Sequence, residues 1–244
     1  MTEQLPGRVK VVEVGPRDGL QNEQQQVPTE TKIELVLRLA DAGLPVVEAT
    51  SFVSPRWIPQ LADAEQVMAG IGKRPDTVFP VLVPNIQGLE RAVLAGAGEI
   101  AVFTAASEEF NRKNINAGIQ ESMVRIRGIA EQAGASGLRV RGYVSCVLGC
   151  PYQGQVATET VVDIARQLVD AGCYEVSLGD TIGSGTPVAA RNLVQSVAEA
   201  IGRLSKAGLE TEVEEATTCC WAVQDKVWVS DPDGHKWEVF VVLD

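Results

Sequence analysis

The sequence predicts an α/β protein of the TIM-type (β/α)-barrel class, truncated after about six βα units and extended by antiparallel β-structure. Three observations predict it. Apolar, β-rich runs alternate with helix-period segments as far as Lys206. Polar residues gather where those runs end: Arg17 and Asp18, Glu48 and Thr50, Asn85, Thr104, Ser145, Asp180 and Thr181. Beyond Lys206 the alternation stops, and two β-rich stretches flank the turn signal Asp231-Pro232-Asp233-Gly234.

The elements follow in order. The first strand, 9–14, is a β-branched run that ends abruptly in Gly15-Pro16. Helical periodicity over 30–42 follows, and Ala42-Gly43 closes that helix, because glycine supplies the left-handed residue past a helix end. An apolar run at 45–50 is the second strand, with a helix over 60–70. The third and fourth units pair strands 77–83 and 99–103 with helices 86–95 and 119–133. The fifth pairs strand 138–145 with helix 157–171, closed by Ala171-Gly172. The sixth pairs strand 174–179 with helix 187–206, closed by Ala207-Gly208. The recurring Ala-Gly closure is a weak internal repeat, and parallel strands with right-handed crossovers follow from the alternation. In such a barrel the carboxyl ends of the strands form one face, which carries the chemistry. A full barrel needs eight units and typically about 250 residues. The stretch after Lys206 does not read as two more. Thr211–Glu215 suits a strand, and 226–230 with 236–242 suit an antiparallel hairpin.

Composition narrows the class. At 244 residues the chain holds one large domain or two small ones, and 45% hydrophobic content supports a real core. Aromatic residues are only 5%, so the core is expected to be aliphatic. A net charge of -11 argues against nucleic acid and against an anionic membrane surface. No apolar run approaches the roughly 20 residues of a membrane span, and no signal peptide is visible. The five cysteines are odd in number and do not read as a disulfide framework, so a reducing cytoplasm is expected. A homo-oligomer is open. The single histidine, His235, limits any metal or acid–base scheme.

The richest stretch is Gly15-Pro16-Arg17-Asp18-Gly19-Leu20-Gln21-Asn22-Glu23. Asp18 offers a hard oxygen ligand, and Arg17 a positive fork for a carboxylate or a developing oxyanion. Taken alone, an Arg-Asp pair at a strand end reads better as a turn with solvated charges. Glu212 and Glu214 stand two apart, as a Mg²⁺-binding pair would, but read better as charges on an edge strand. Asp231–Gly234 is a turn and not a calcium loop, because the later ligand positions are absent.

The stretch resembles the opening motif of hydroxymethylglutaryl-CoA lyases. The resemblance continues through Glu48–Pro55, Asn111–Asn116, Gly149-Cys150-Pro151-Tyr152 and Ser177–Gly183, and covers roughly residues 5–200. It implies a divalent-cation-assisted retro-Claisen cleavage of 3-hydroxy-3-methylglutaryl-CoA to acetyl-CoA and acetoacetate, as in leucine degradation. It implies Mg²⁺ or Mn²⁺ as cofactor and an acyl-CoA as partner. By motif, Asp18 would be a metal ligand, Arg17 would stabilise developing charge and Glu48 would orient that centre. Gln21, Ser177, Asp180 and Thr181 would line the substrate pocket. The family also uses a His-x-His pair, a later asparagine and a cysteine in a late Gly-Gly-Cys-Pro-Tyr loop, none of which occurs in these 244 residues. Cys150 follows the fifth predicted strand, so it reads as a structural thiol.

The tail resembles something else. Lys206–Leu209, Thr217-Thr218-Cys219-Cys220, Gln224–Lys226, and Asp231–Gly234 with Trp237-Glu238-Val239-Phe240 are similar to the end of a glyoxalase-like (vicinal-oxygen-chelate) protein of the cadmium-induced or carbon–arsenic lyase branch. That likeness implies Cys219 and Cys220 as a grip for a soft ion, with Glu238 as a metal ligand. The chain therefore reads as two parts, 1–203 and 204–244. Three functions stay open: a lyase, a catalytically inactive chimera, and a soft-metal or arsenical-binding module.

Overall fold

The structure is a computed structural model. It describes residues 10–206, 211–219, 222–230 and 236–243, with side chains from Lys10 to Ala200 apart from positions 194 and 198. They form two compact units, Lys10–Val102 with Gly128–Val140, and Phe103–Arg127 with the described residues from Arg141 onward.

The first unit is built on short parallel strands. β1 (Val12–Glu13) pairs with β2 (Val46–Val47), and β3 (Thr50–Ser51) pairs with β4 (Val81–Leu82). β4 in turn pairs with the start of β5 (Glu99–Ala105). The sequence expects one strand at 45–50. The chain there serves two neighbours by alternate amides: Val47 donates to Val78 O, Glu48 to Glu13 O at 2.8 Å, and Ala49 to Pro80 O at 3.0 Å. The expected strand 77–83 is regular only at Val81–Leu82, because Pro80 has no N–H to give a ladder. Helices α1 (Thr29–Asp41), α2 (Ala64–Ile71) and α3 (Ile86–Leu94) follow these strands. The segment 60–63, expected to be helical, is instead a single tight turn at Pro59–Leu61 leading into α2. The core is aliphatic as composition predicts. Val36, Val47, Val67, Val81 and Ile100 are fully buried beside Phe52, over whose ring the Arg91 guanidinium sits at 5.3 Å.

Asn85 starts α3. Its side chain accepts the Gly88 amide at 2.8 Å, satisfying one of the free donors of the first turn. Asn85→Ala is expected to cost ~1 kcal/mol and to lower Tm by about 2–4 °C, read by calorimetric melting.

The second unit contains β6 (Arg139–Ser145, from Arg141) parallel to β7 (Glu175–Leu178), in register from Arg141↔Glu175 to Val144↔Leu178. α5 (Ile119–Ala135) runs out of this unit into the first. α6 (Thr158–Asp170) buries Val161, Ile164, Ala165 and Leu168, one stripe at helical spacing. α7 spans Pro187–Lys206. Gly43 and Gly172 take φ of 90° and 94° at the helix ends where the Ala-Gly repeat expects them, while Gly208 lies outside the described residues. A further helix, α4 (Glu108–Ile115), was not expected from sequence. Ser107 caps it by accepting the Phe110 amide at 3.2 Å, Glu108 and Glu109 fill its first turn, and Asn116 closes it at φ 50°.

Beyond α7 come three antiparallel strands, β8 (Thr211–Cys219), β9 (Ala222–Ser230) and β10 (Lys236–Leu243), in the order β10-β9-β8. The expected hairpin is present as the β9–β10 ladder, from Lys236↔Ser230 to Leu243↔Val223. Its turn, with His235, lies outside the described residues. β10 runs next to β7 and α7. No described helix is long and apolar enough to cross a membrane.

Candidate active site

Gly15-Pro16 turns the chain as β1 ends. The amides of Arg17 and Asp18 both reach the Val14 carbonyl, at 3.1 and 2.7 Å, and residues 15–19 wind into a single wide helical turn. The turn splits two consecutive side chains. Arg17 points inward with its side chain 10% exposed, and Asp18 points outward at 55%. Arg17 Nε donates to Glu48 Oε1, and Nη1 donates to Asp18 Oδ1 at 2.5 Å. Glu48 is fully buried between β2 and β3, its place fixed by its own amide on Glu13 O. A guanidinium between a buried and an exposed carboxylate cannot rotate freely, so its fork is aimed before any ligand arrives. Thr50, two residues past Glu48, is buried with its hydroxyl Oγ1 unpartnered.

Gln21 is half-buried in the turn that follows. That segment is tied down from two sides. Asn22 Nδ2 donates to Asp18 O at 2.8 Å, and Gln60 Nε2 donates to Glu23 O at 2.9 Å. The buried Lys32 donates to Gln60 O and, at 2.7 Å, to Asp63 Oδ1, whose second oxygen accepts from Thr29 at 2.7 Å.

In the second unit Ser177 sits half-buried on β7, opposite Tyr143. Asp180 accepts the amides of Ser184 at 3.3 Å and Gly185 at 2.8 Å, so its carboxylate shapes the loop after β7. Thr181 Oγ1 accepts the Cys146 amide at 2.7 Å. Sequence reasoning did not find what surrounds Cys150. Its buried Sγ meets Ser107 Oγ at 3.0 Å and the amides of Gln153 and Tyr152 at 3.3 and 3.4 Å. Burial raises this thiol, but hydrogen bonding with Ser107 and from the Gln153 and Tyr152 amides outweighs it and holds Cys150 below the ordinary thiol range. Nor did sequence point to the buried chain Asn111–Thr104–Ser122, joined at 3.0 and 2.7 Å. The serine before Glu108-Glu109, an N-cap signal, was the available clue to Ser107. The Asn111 network carried none.

Cys219 and Glu238 fall on β8 and β10, but their side chains, like the whole of Cys220, lie outside the described residues. A resident divalent cation does not find its ligand set among the described residues. No three His, Cys, Asp or Glu side chains converge, and Asp18, the exposed carboxylate at this strand end, already holds the Arg17 guanidinium. Hard cations of this kind take six or more oxygen ligands.

Comparison with known proteins gives the family. The chain is 56% identical over 193 residues to the mitochondrial hydroxymethylglutaryl-CoA lyase of Rattus norvegicus, covering 79% of this chain and 59% of that one. It therefore spans about three fifths of the length of such relatives. The crystal structure of hydroxymethylglutaryl-CoA lyase from Pseudomonas aeruginosa superposes with a TM-score of 0.79 at 52% identity, over 82% of this chain and 67% of that one. An HMG-CoA lyase from Acinetobacter baumannii, solved with coenzyme A and 3-methylmalate, gives a TM-score of 0.75 at 36% identity, over 78% of this chain and 62% of that one. The likeness establishes the (β/α)-barrel type of the fold. The HMGL-like family profile matches residues 8–217, a span that takes in the turn of Arg17 and Asp18, buried Glu48 and the loop of Asp180: the chain belongs to the HMGL-like family.

Proposed function

We propose that this chain carries the acyl-CoA site of a hydroxymethylglutaryl-CoA lyase-type enzyme, which cleaves 3-hydroxy-3-methylglutaryl-CoA to acetyl-CoA and acetoacetate. The observation that carries this reading is the Arg17 fork, fixed by Glu48 behind and Asp18 in front at the end of β1. Cleavage of the bond next to the C3 hydroxyl leaves negative charge on the thioester oxygen of the departing enolate. A guanidinium aimed in advance stabilises such charge without reorganising. The half-exposed Asp18 carboxylate is an acceptor for the C3 hydroxyl proton. Gln21, Ser177, Asp180 and Thr181 contact substrate in this reading, the last two from a loop that their own hydrogen bonds shape. A divalent cation, Mg²⁺ or Mn²⁺, would find in Asp18 a single weak ligand among the described residues. The odd cysteine count supports a cytoplasmic setting. The test is calorimetry of 3-hydroxy-3-methylglutaryl-CoA binding to the purified chain and to Arg17→Met. A charge-assisted hydrogen bond is worth about 1.5–3 kcal/mol, so the variant is expected to bind about 10- to 100-fold more weakly. Equal affinity for both proteins would end the reading.

The antiparallel C-terminal strands support a second reading for residues 204–244, of which the HMGL-like match takes in 204–217. An antiparallel three-stranded sheet does not continue a βα series. We infer a separate segment of glyoxalase-like ancestry in which Cys219 and Cys220 grip a soft ion, with Glu238 nearby in function. Adjacent thiolates prefer soft ions to hard ones. Arsenite is expected to bind more tightly than Mg²⁺, and Cys219→Ser/Cys220→Ser is expected to abolish that binding. Calorimetric traces that are equally weak for both proteins would refute it.

A further inference from the structure

The loop after β6 holds two thiols, Cys146 and Cys150, that the lyase reading does not use. Both are buried, and they stand four residues apart on that loop. Two backbone amides, those of Tyr152 and Gln153, converge on Cys150 Sγ, and Ser107 Oγ lies 3.0 Å from it while donating its own proton to Gln153 Oε1 at 3.0 Å. The amides are placed by a tight ring in which Cys150 N donates to Gly154 O at 2.8 Å and Gly154 N returns to Cys150 O at 3.0 Å. Converging backbone N–H groups of this kind make a small anion-binding concavity. Tyr152, whose amide is one of these donors, is itself 48% exposed, while Cys150 is buried. Cys146 has its own peculiarity. It is a non-glycine residue at φ 60°, held there by its amide's bond to Thr181 Oγ1 at 2.7 Å. Side chains rarely adopt that backbone, and such outliers cluster at functional sites.

We propose that Cys150 is a peroxide-sensitive nucleophilic thiol and that Cys146 resolves it to an intrachain disulfide. The Cys150 thiolate attacks hydrogen peroxide. The O–O bond breaks, an S–O bond forms, sulfur is oxidised by two electrons, and hydroxide leaves. The Cys146 sulfur then displaces the sulfenic hydroxyl. An S–S bond forms, and the thiol proton and the hydroxyl depart as water. Cys146 is suited to wait as a protonated partner, because burial pushes its thiol up to about 11. Oxidation would pull on the Cys146 amide and therefore on Thr181.

Cys173 is the internal control. It is buried, and desolvation alone pushes its thiol up to about 12. Trypsin separates the two cases, because Cys146 and Cys150 share the peptide 142–166 and Cys173 lies in 167–191. The experiment treats the full native chain with hydrogen peroxide or iodoacetamide and reads each peptide by mass spectrometry. At pH 7 Cys150 is expected to alkylate at least about tenfold faster than Cys173. Peroxide is expected to remove two hydrogens from peptide 142–166. Cys146→Ser is expected to stop at a sulfenic acid on Cys150, trapped by dimedone, and Ser107→Ala to move the alkylation profile to higher pH. Alkylation of Cys150 no faster than Cys173, or a peroxide-treated peptide that keeps both hydrogens, would overturn the proposal.

Discussion

Replacing Glu48 by alanine is expected to destabilise the protein by about 3–5 kcal/mol, the usual cost of leaving a buried ion-pair partner uncompensated. For a chain of this size that lowers Tm by roughly 6–20 °C. The reasoning starts from burial. Glu48 is fully buried, and Arg17, which donates to it, has a side chain only 10% exposed. Asp18 cannot replace Glu48, because it meets the other side of the guanidinium from a 55% exposed position, where water and salt weaken the attraction. The comparison that isolates the pair is the double variant Arg17→Met/Glu48→Leu. Apolar residues of similar volume often replace a buried pair at little cost, so the double variant is expected to melt within a few degrees of wild type while losing the proposed substrate binding. Denaturant unfolding of the two variants checks both statements. A Glu48→Ala loss below about 1 kcal/mol would show that the pair is not the anchor of the turn.

How much of this was legible in the sequence depends on the range of the forces involved. Alternation placed six strands and six helices near their observed positions, because the exposed and buried faces of each element are written locally in residue type. It missed α4. That helix, Glu108–Ile115, has few apolar positions and is set by its ends, Ser107 and Asn116, rather than by a stripe. Strand 45–50 was legible as a run, but not the alternate amides that send Glu48 to β1 and Ala49 to Pro80. Among the site residues, Arg17 and Asp18 were legible because Gly15-Pro16 ends a β-branched run at that point. The pairing of Arg17 with Glu48, 31 residues away, depends on two strands lying side by side, which composition does not encode. The same holds for Ser107 on Cys150, 43 residues apart, and for the loop-shaping role of Asp180.

The 244-residue chain is expected to release acetoacetate from 3-hydroxy-3-methylglutaryl-CoA about two to four orders of magnitude more slowly than a full-length relative such as the Pseudomonas aeruginosa lyase, with Mg²⁺ or Mn²⁺ present. The cleavage makes two demands at once. Charge must be stabilised on the thioester oxygen, and a proton must be delivered to the enolate carbon. In the proposed reading Arg17 would meet the first from a fixed position. For the second, the described residues near Arg17 offer carboxylates, Asp18 and Glu48, of which Glu48 is buried on the guanidinium. The chain's single histidine, His235, lies in the tail segment outside the described residues. A placed general acid is typically worth 10²–10⁴ in rate, which sets the size of the expected deficit. Asp18→Ala should then reduce what activity remains, because it removes the acceptor for the C3 hydroxyl proton while leaving the buried Arg17–Glu48 pair in place. A side-by-side coupled assay of acetoacetate decides the matter. A rate within tenfold of the full-length relative, abolished by Asp18→Ala, would show that the Arg17, Asp18 and Glu48 constellation supplies the chemistry without a separate acid.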